Sequence, residues 1–233
     1  MRQNLQRVQA RIQTATAAAG WTTPVELIVV TKYFPAADVQ RLHSLGIRDI
    51  GENKDQEAAA KAADVGQLAG LRWHFIGQLQ SNKAKSVARY ATAVHSVDRP
   101  KLVTALSKGV AAAFDAGERS QPLECFIQVD LRDPVGEDNR GGAAPERIPA
   151  LAEAIAEAEG LHLAGLMAVA PLDEPPGEAF ARLAACAQRL RAEHPEATAI
   201  SAGMSHDLEE ALAHGATHLR IGRDVLGERD HSR

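Results

Sequence analysis

The chain has 233 residues, with 26 Lys and Arg against 30 Asp and Glu, and its basic residues are scattered rather than clustered. That balance leaves no electrostatic footprint for nucleic acid, and no apolar run approaches membrane-spanning length. Cys125 and Cys186 lie too far apart in the chain to read as a disulfide framework or a metal pair, and residues 1–19 do not read as a signal peptide, so a soluble protein of the reducing cytoplasm is expected.

Taken in order, the chain repeats one theme. Residues 2–19 are rich in Ala, Gln and Arg, with Leu5, Val8, Ile12 and Ala15 at helical spacing and Gly20 as the stop. An apolar, β-branched strand follows at 26–31, then a helix over 36–45 ended by Gly46. Strands are predicted at 47–51, 72–76 and 93–97, with helices at 52–65, 83–90 and 100–113 after them. The second half continues with strands at 123–131, 162–168, 197–201 and 217–221, separated by helices at 145–159, 177–193 and 208–214. Strict alternation with short connections demands parallel strands, because each crossover needs a helix. Eight such strands in this length predict a single (β/α)8 TIM-type barrel with an extra N-terminal helix, one domain over residues 1–233. A doubly wound open sheet is the alternative, but it would normally carry a Gly-rich turn after its first strand, where this chain has Thr31-Lys32-Tyr33-Phe34-Pro35.

In parallel α/β folds, ligands gather at the carboxyl ends of the strands. The first apolar run ends on Lys32, which places a primary amine there. A strand-end lysine by itself merely snorkels to water. The far end of the chain changes that reading. In Ser201-Ala202-Gly203-Met204-Ser205, Gly203 suits a positive φ, and Ser205 reads as an N-cap with Asp207 and Glu209 in the following turn. Free amides at such a terminus form an anion site, and Gly222 offers a second close approach after the last strand. An amine facing a phosphate site suggests a phosphorylated aldehyde held as a Schiff base. Arg220 would supply positive charge that favours the neutral amine, or would approach the nitrogen of a bound pyridine and keep it unprotonated.

These residues resemble a known family. Val29-Val30-Thr31-Lys32, Gly51-Glu52-Asn53, His74-Phe75-Ile76-Gly77 with Leu79-Gln80-Ser81-Asn82-Lys83, Gly165-Leu166-Met167, Gly203-Met204-Ser205 and Arg220-Ile221-Gly222 look like the pyridoxal phosphate homeostasis proteins, relatives of the alanine racemase N-terminal barrel. The resemblance covers almost the whole chain and keeps the order of the motifs. It implies that pyridoxal 5′-phosphate (PLP) is the cofactor and that Lys32 is its Schiff-base lysine. It also implies that Ser201, Gly203, Ser205, Gly222 and the backbone of Arg223 surround the phosphate. Asn53 and His74 would line the ring, Arg220 would lie near the pyridine nitrogen or the phosphate, and Met167 and Met204 complete the implied binding set. Family members are often monomeric and buffer or deliver the cofactor, with PLP-dependent apo-enzymes as transient partners. This chain departs from the pattern at Arg223, where a small hydroxyl residue is usual, and at Lys54, where an aromatic is usual.

The remaining features carry less chemistry. His43, His162, His194, His206, His214, His218 and His231 have no metal-ligand spacing and suit surface or capping roles, so no metal site is expected. His95 and Asp98 form a candidate structural pair, Trp21 and Trp73 suit the core, Cys125 suits a buried strand, and the glycine-rich stretch 133–142 reads as a rim loop. A PLP carrier without turnover is the favoured function, with no catalytic residue. A PLP-dependent racemase is the alternative, but it needs a second base opposite the lysine. Tyr33 follows Lys32 directly, so along a strand it would point to the other face, and Tyr90 falls at a helix end. A lysine-imine aldolase lacks a recognisable acid–base partner.

Overall fold

The predicted alternation closes on itself. In the computed structural model, which describes residues 1–21, 23–132 and 141–228, eight parallel strands pair in sequence order and the last returns to the first. They are β1 (Glu26–Val30), β2 (Asp49–Glu52), β3 (Arg72–Phe75), β4 (Ala93–Val97), β5 (Leu123–Gln128), β6 (Leu161–Met167), β7 (Ala199–Ser201) and β8 (His218–Ile221). Between them run α2 (Ala36–Ser44), α3 (Asp55–Val65), α4 (Ala84–Tyr90), α5 (Pro100–Asp115), α6 (Ile148–Ala156), α7 (Pro176–Glu193) and α8 (Leu208–Ala213). The extra helix α1 (Arg2–Ala18) buries Leu5 and Val8 and packs on α8 and on a short α9 (Arg223–Leu226), which no sequence signal announced. The (β/α)8 reading therefore holds. The rim-loop reading of 133–142 falls outside the described residues except for Gly141 and Gly142, as does His231.

Strand alternation divides the apolar residues between two compartments. Val29, Ile50, Phe75, Val94, Cys125 and Ile127 point outward into the main core against the helices. Ala93, Phe126 and Met167 form a smaller cluster inside the barrel. Each strand is thus buried on both faces, which is why β1 reads as unbroken Leu-Ile-Val-Val rather than as an alternating strand.

Five local expectations need correction. β1 ends at Val30, so Lys32 and Tyr33 lie in a turn closed by the Phe34 amide on the Thr31 carbonyl (2.9 Å), and strand alternation says nothing about where Tyr33 points. Pro35 then occupies the position just ahead of α2, where its missing N–H costs nothing. Ser205 is not the cap of α8; Asp207 holds that position, and its carboxylate accepts the Met204 amide at 2.6 Å. His95 bonds to His74 and Ser201, whereas Asp98 pairs with Arg99. His218 is buried rather than superficial, 3.2 Å from Glu26, while Trp73 is buried and Trp21 only half so.

Candidate functional site

The turn carrying Lys32 has left the sheet, so its backbone must be held by something other than ladder bonds. Side chains from the second β/α unit do this. Glu52 at the end of β2 accepts the Thr31 hydroxyl (2.5 Å), and Glu57 on α3 accepts the Tyr33 amide (2.5 Å). Lys61, one helical turn beyond Glu57, donates to the Thr31 carbonyl (2.9 Å), to Glu52 (2.5 Å) and to Glu57 (3.2 Å). Burial pushes the Glu52 carboxyl above its ordinary range, and the bonds from Lys61 and Thr31 offset this only in part. Tyr33 is the sole non-glycine among the described residues with a positive φ, +69°, and its ring is half exposed with the Lys54 ammonium 5.2 Å from its centre. Lys32 itself is half-buried, and its amine bonds to no described residue.

Asn53 follows β2 directly. Gly77 packs so closely that a Cβ there would sit 2.1 Å from the Asn53 carbonyl oxygen, which explains the glycine ending the His74–Gly77 motif. The Asn53 Oδ1 is buried without a partner. Such an orphaned acceptor costs roughly 1–3 kcal/mol unless something satisfies it.

Inside the barrel runs a continuous string of polar side chains. Arg220 donates to the Ser201 hydroxyl (2.6 Å) and to the Ala168 carbonyl (2.8 Å). Ser201 lies 2.9 Å from His95 Nδ1, His95 Nε2 lies 3.0 Å from His74 Nδ1, and His74 Nε2 lies 2.9 Å from Asp49. The two ends have fixed roles: Asp49 accepts from His74 Nε2, and Arg220 donates to the Ser201 hydroxyl. Burial holds His95 well below the usual histidine range, helped by His74, Arg220 and His218, so its ring is neutral and carries a single hydrogen between His74 and Ser201. Burial also pushes the Arg220 guanidinium down to about 10, still charged at neutral pH. The rings of His95 and Phe126 stack in parallel at 4.1 Å beneath.

The loops after β7 and β8 complete the mouth. Gly203 takes φ +91°, and a Cβ there would meet Ala211 and Leu219 at 2.7 Å. Gly222 packs against Val30, whose carbonyl would lie 3.2 Å from an added Cβ, so the end of β8 touches the end of β1 below Lys32. The amides of Ser205, Gly222 and Arg223 bond to no described residue. The Met204 amide is taken by Asp207. Arg11 of α1 ties the loops together from outside, reaching the Ser205 carbonyl (3.1 Å), Glu209 (2.9 Å) and Asp224 (3.0 Å).

Of the residues singled out from the sequence, Lys32, Asn53, Gly203, Ser205, Gly222 and Arg223 therefore stand at one end of the barrel, with Met204 exposed on the rim. Ser201, His74, Arg220 and Met167 lie within the barrel, where the Ser201 hydroxyl serves Arg220 and His95 rather than the glycine loops. Sequence reading missed Arg11, Asp49, Glu57 and Lys61; it gave Glu52 no role of its own within the Gly51-Glu52-Asn53 motif, and it paired His95 with Asp98 rather than with His74 and Ser201. Among the described residues, no group of three or more His, Cys, Asp or Glu is placed to hold a metal ion, and no helix is long and apolar enough to cross a membrane.

Comparison with known proteins agrees with this geometry. Residues 3–230 match the family model for the alanine racemase N-terminal domain. The pyridoxal phosphate homeostasis protein of Mycobacterium tuberculosis (strain ATCC 25618 / H37Rv) is 43% identical over 238 residues, covering 97% of this chain and 91% of the relative. The protein of that name from Pseudomonas aeruginosa is 43% identical over 234 residues, covering 98% of this chain and 96% of its own. Among solved structures, PipY of Synechococcus elongatus PCC7942 with PLP bound superimposes with a TM-score of 0.74 at 31% identity, over 93% of this chain and 100% of that one.

Proposed function

We propose, for a chain that belongs to the pyridoxal phosphate homeostasis proteins of the alanine racemase N-terminal domain family, that it binds PLP and serves PLP homeostasis by holding the cofactor reversibly as a Schiff base on Lys32. What carries this reading is convergence at one barrel end. A half-buried amine that bonds to no described residue stands at the same barrel end as the unengaged amides of Ser205, Gly222 and Arg223, and the orphaned Asn53 Oδ1 follows the second strand at that end. Those groups fit the cofactor: the amides suit a phosphate, the amine suits an aldehyde, and the missing Cβ at Gly222 leaves room for close approach. PLP supplies the aldehyde and an electron-poor ring; the protein supplies binding and orientation. Lys32 would hold the cofactor through its aldehyde, which would supply a reversible covalent link to a primary amine, and the unengaged amides would hold its phosphate. Arg220, a charged donor that keeps its proton, would favour an unprotonated ring nitrogen if that atom came within its reach.

In this reading the whole span 1–233 acts as one PLP-binding domain, monomeric and cytoplasmic, that passes cofactor to apo-enzymes through its open mouth. The relatives are named as homeostasis proteins rather than enzymes, and the chain's two tyrosines stand apart from any role opposite Lys32. Tyr33 is turned out beneath Lys54, and the Tyr90 hydroxyl faces Asp55 at 3.4 Å.

Borohydride reduction of the PLP-loaded protein, followed by peptide mapping, tests the assignment. The label is expected on Lys32, and Lys32→Ala should leave none. A label on Lys54 or Lys83 that persists in Lys32→Ala would refute it.

A further inference from the structure

The Lys61 cluster lies behind the site and touches no atom assigned above to the ligand. Its bonds nonetheless converge on the residues either side of Lys32. An ammonium has three N–H donors, and Lys61 commits them to the Thr31 carbonyl, Glu52 and Glu57. Glu52 holds the Thr31 side chain, and Glu57 holds the Tyr33 amide. The Thr31 amide is fixed as well, donating to the Gly51 carbonyl at 3.0 Å. Lys61 is 5% exposed and Glu52 1%, so water does not compete for the bonds among Lys61, Glu52 and Thr31, while the Glu57–Tyr33 bond lies at the exposed edge of the frame. The backbone between the anchors includes Tyr33 at positive φ, a conformation that persists only where the surroundings over-determine it. A cluster built merely to dock α3 on the sheet would not need to reach Thr31 and Tyr33 at all.

We infer that Lys61 is a positioning residue for Lys32: it gathers Glu52 and Glu57 into a frame that fixes the backbone on both sides of Lys32 and aims the amine at the aldehyde. The inference rests on the reading of Lys32 as the Schiff-base residue. It predicts a separation between two steps of binding. Docking of ring and phosphate uses the β7 and β8 loops, to which the frame makes no bond, and Asn53, which it meets only through the Glu52 backbone, whereas covalent capture depends on where the amine stands.

The test compares wild type, Lys61→Met, Glu57→Ala and Lys32→Ala, each checked for folding by circular dichroism. Stopped-flow absorbance measures the rate of covalent capture of PLP, and calorimetry measures affinity for 4′-deoxypyridoxine 5′-phosphate, which has no aldehyde. Capture should slow about tenfold or more in Lys61→Met and Glu57→Ala, while affinity for the deoxy analogue stays within about twofold. Should Lys61→Met fail to fold, Glu57→Ala decides, because its carboxylate is partly exposed and only the Tyr33 amide and one Lys61 bond are lost. Capture at the wild-type rate, or equal losses of capture and analogue binding, would overturn the inference alone, provided Lys32→Ala is inert. Capture surviving in Lys32→Ala would overturn the Schiff-base assignment and this inference with it.

Discussion

Charge holds both halves of the mouth, but in unlike settings. Behind the β1 turn, Lys61 and Glu52 are 5% and 1% exposed. Outside the β7 and β8 loops, the Arg11 side chain is 37% exposed and reaches the half-exposed Glu209. In the first setting water and salt cannot screen the pair, and loss of one member leaves a buried charge without compensation. In the second, solvent competes at every bond, and each pair is worth only tenths of a kcal/mol. The turn carrying Lys32 is thus fixed, and the β7 and β8 loops are tied by an adjustable clasp. Under the proposed binding mode the compliance falls on the non-covalent side, which suits a protein that would both hold and release its ligand.

This contrast can be broken at the buried end first. Lys61→Met should lower unfolding stability by about 3–5 kcal/mol in urea titrations, with little change between low and high salt. A loss under 1 kcal/mol, or one that vanishes in salt, would make the two ends alike. A third anchor, at the opposite end of the barrel, sharpens the comparison through pH. Burial pushes the Asp49 carboxyl up, but hydrogen bonds from His74 and Arg72 outweigh this and hold it below its ordinary range. Its unfolded form binds the extra proton more readily, so its contribution is complete above about pH 4 and is lost as pH falls through the lower folded value. Asp49→Asn should cost roughly 1–3 kcal/mol at pH 7 and flatten that acid limb. An unchanged acid limb would remove Asp49 from the set of anchors. The smallest effect belongs to the clasp. Arg11→Ala should cost about 1 kcal/mol or less at low ionic strength, and the difference should shrink toward zero near 1 M NaCl.

The barrel was legible because hydrophobic period and glycine stops are local signals, and the structure keeps nearly every predicted element. Lys32 and the Gly203 and Gly222 loops were legible because a basic residue or a glycine at a strand end has few bland explanations in company. What stayed hidden is long-range pairing. An Ala-, Lys- and Glu-rich helix such as α3 reads as solvated, and nothing local reveals that Lys61 turns inward to Thr31. The Arg11 clasp joins residues 198 positions apart in the chain, which no spacing rule reaches. The capping error has the same root: Ser205 and Asp207 are both good caps, and the tertiary fit around Gly203 selected Asp207. Gly77 was visible as a motif, but its reason, the Asn53 backbone lying against it, belongs to the folded state.

The string from Arg220 to Asp49 has one further consequence. Asp49, His74, His95, Ser201 and Arg220 sit on β2, β3, β4, β7 and β8, so the string crosses the interior from one wall to the other. Its His95–Ser201 link joins β4 to β7, two strands that are not neighbours in the sheet. Ladder bonds fix only the spacing of adjacent strands, whereas this link fixes the bore. The width of the mouth is therefore set from below, by a brace inside the barrel rather than by the loops that line it.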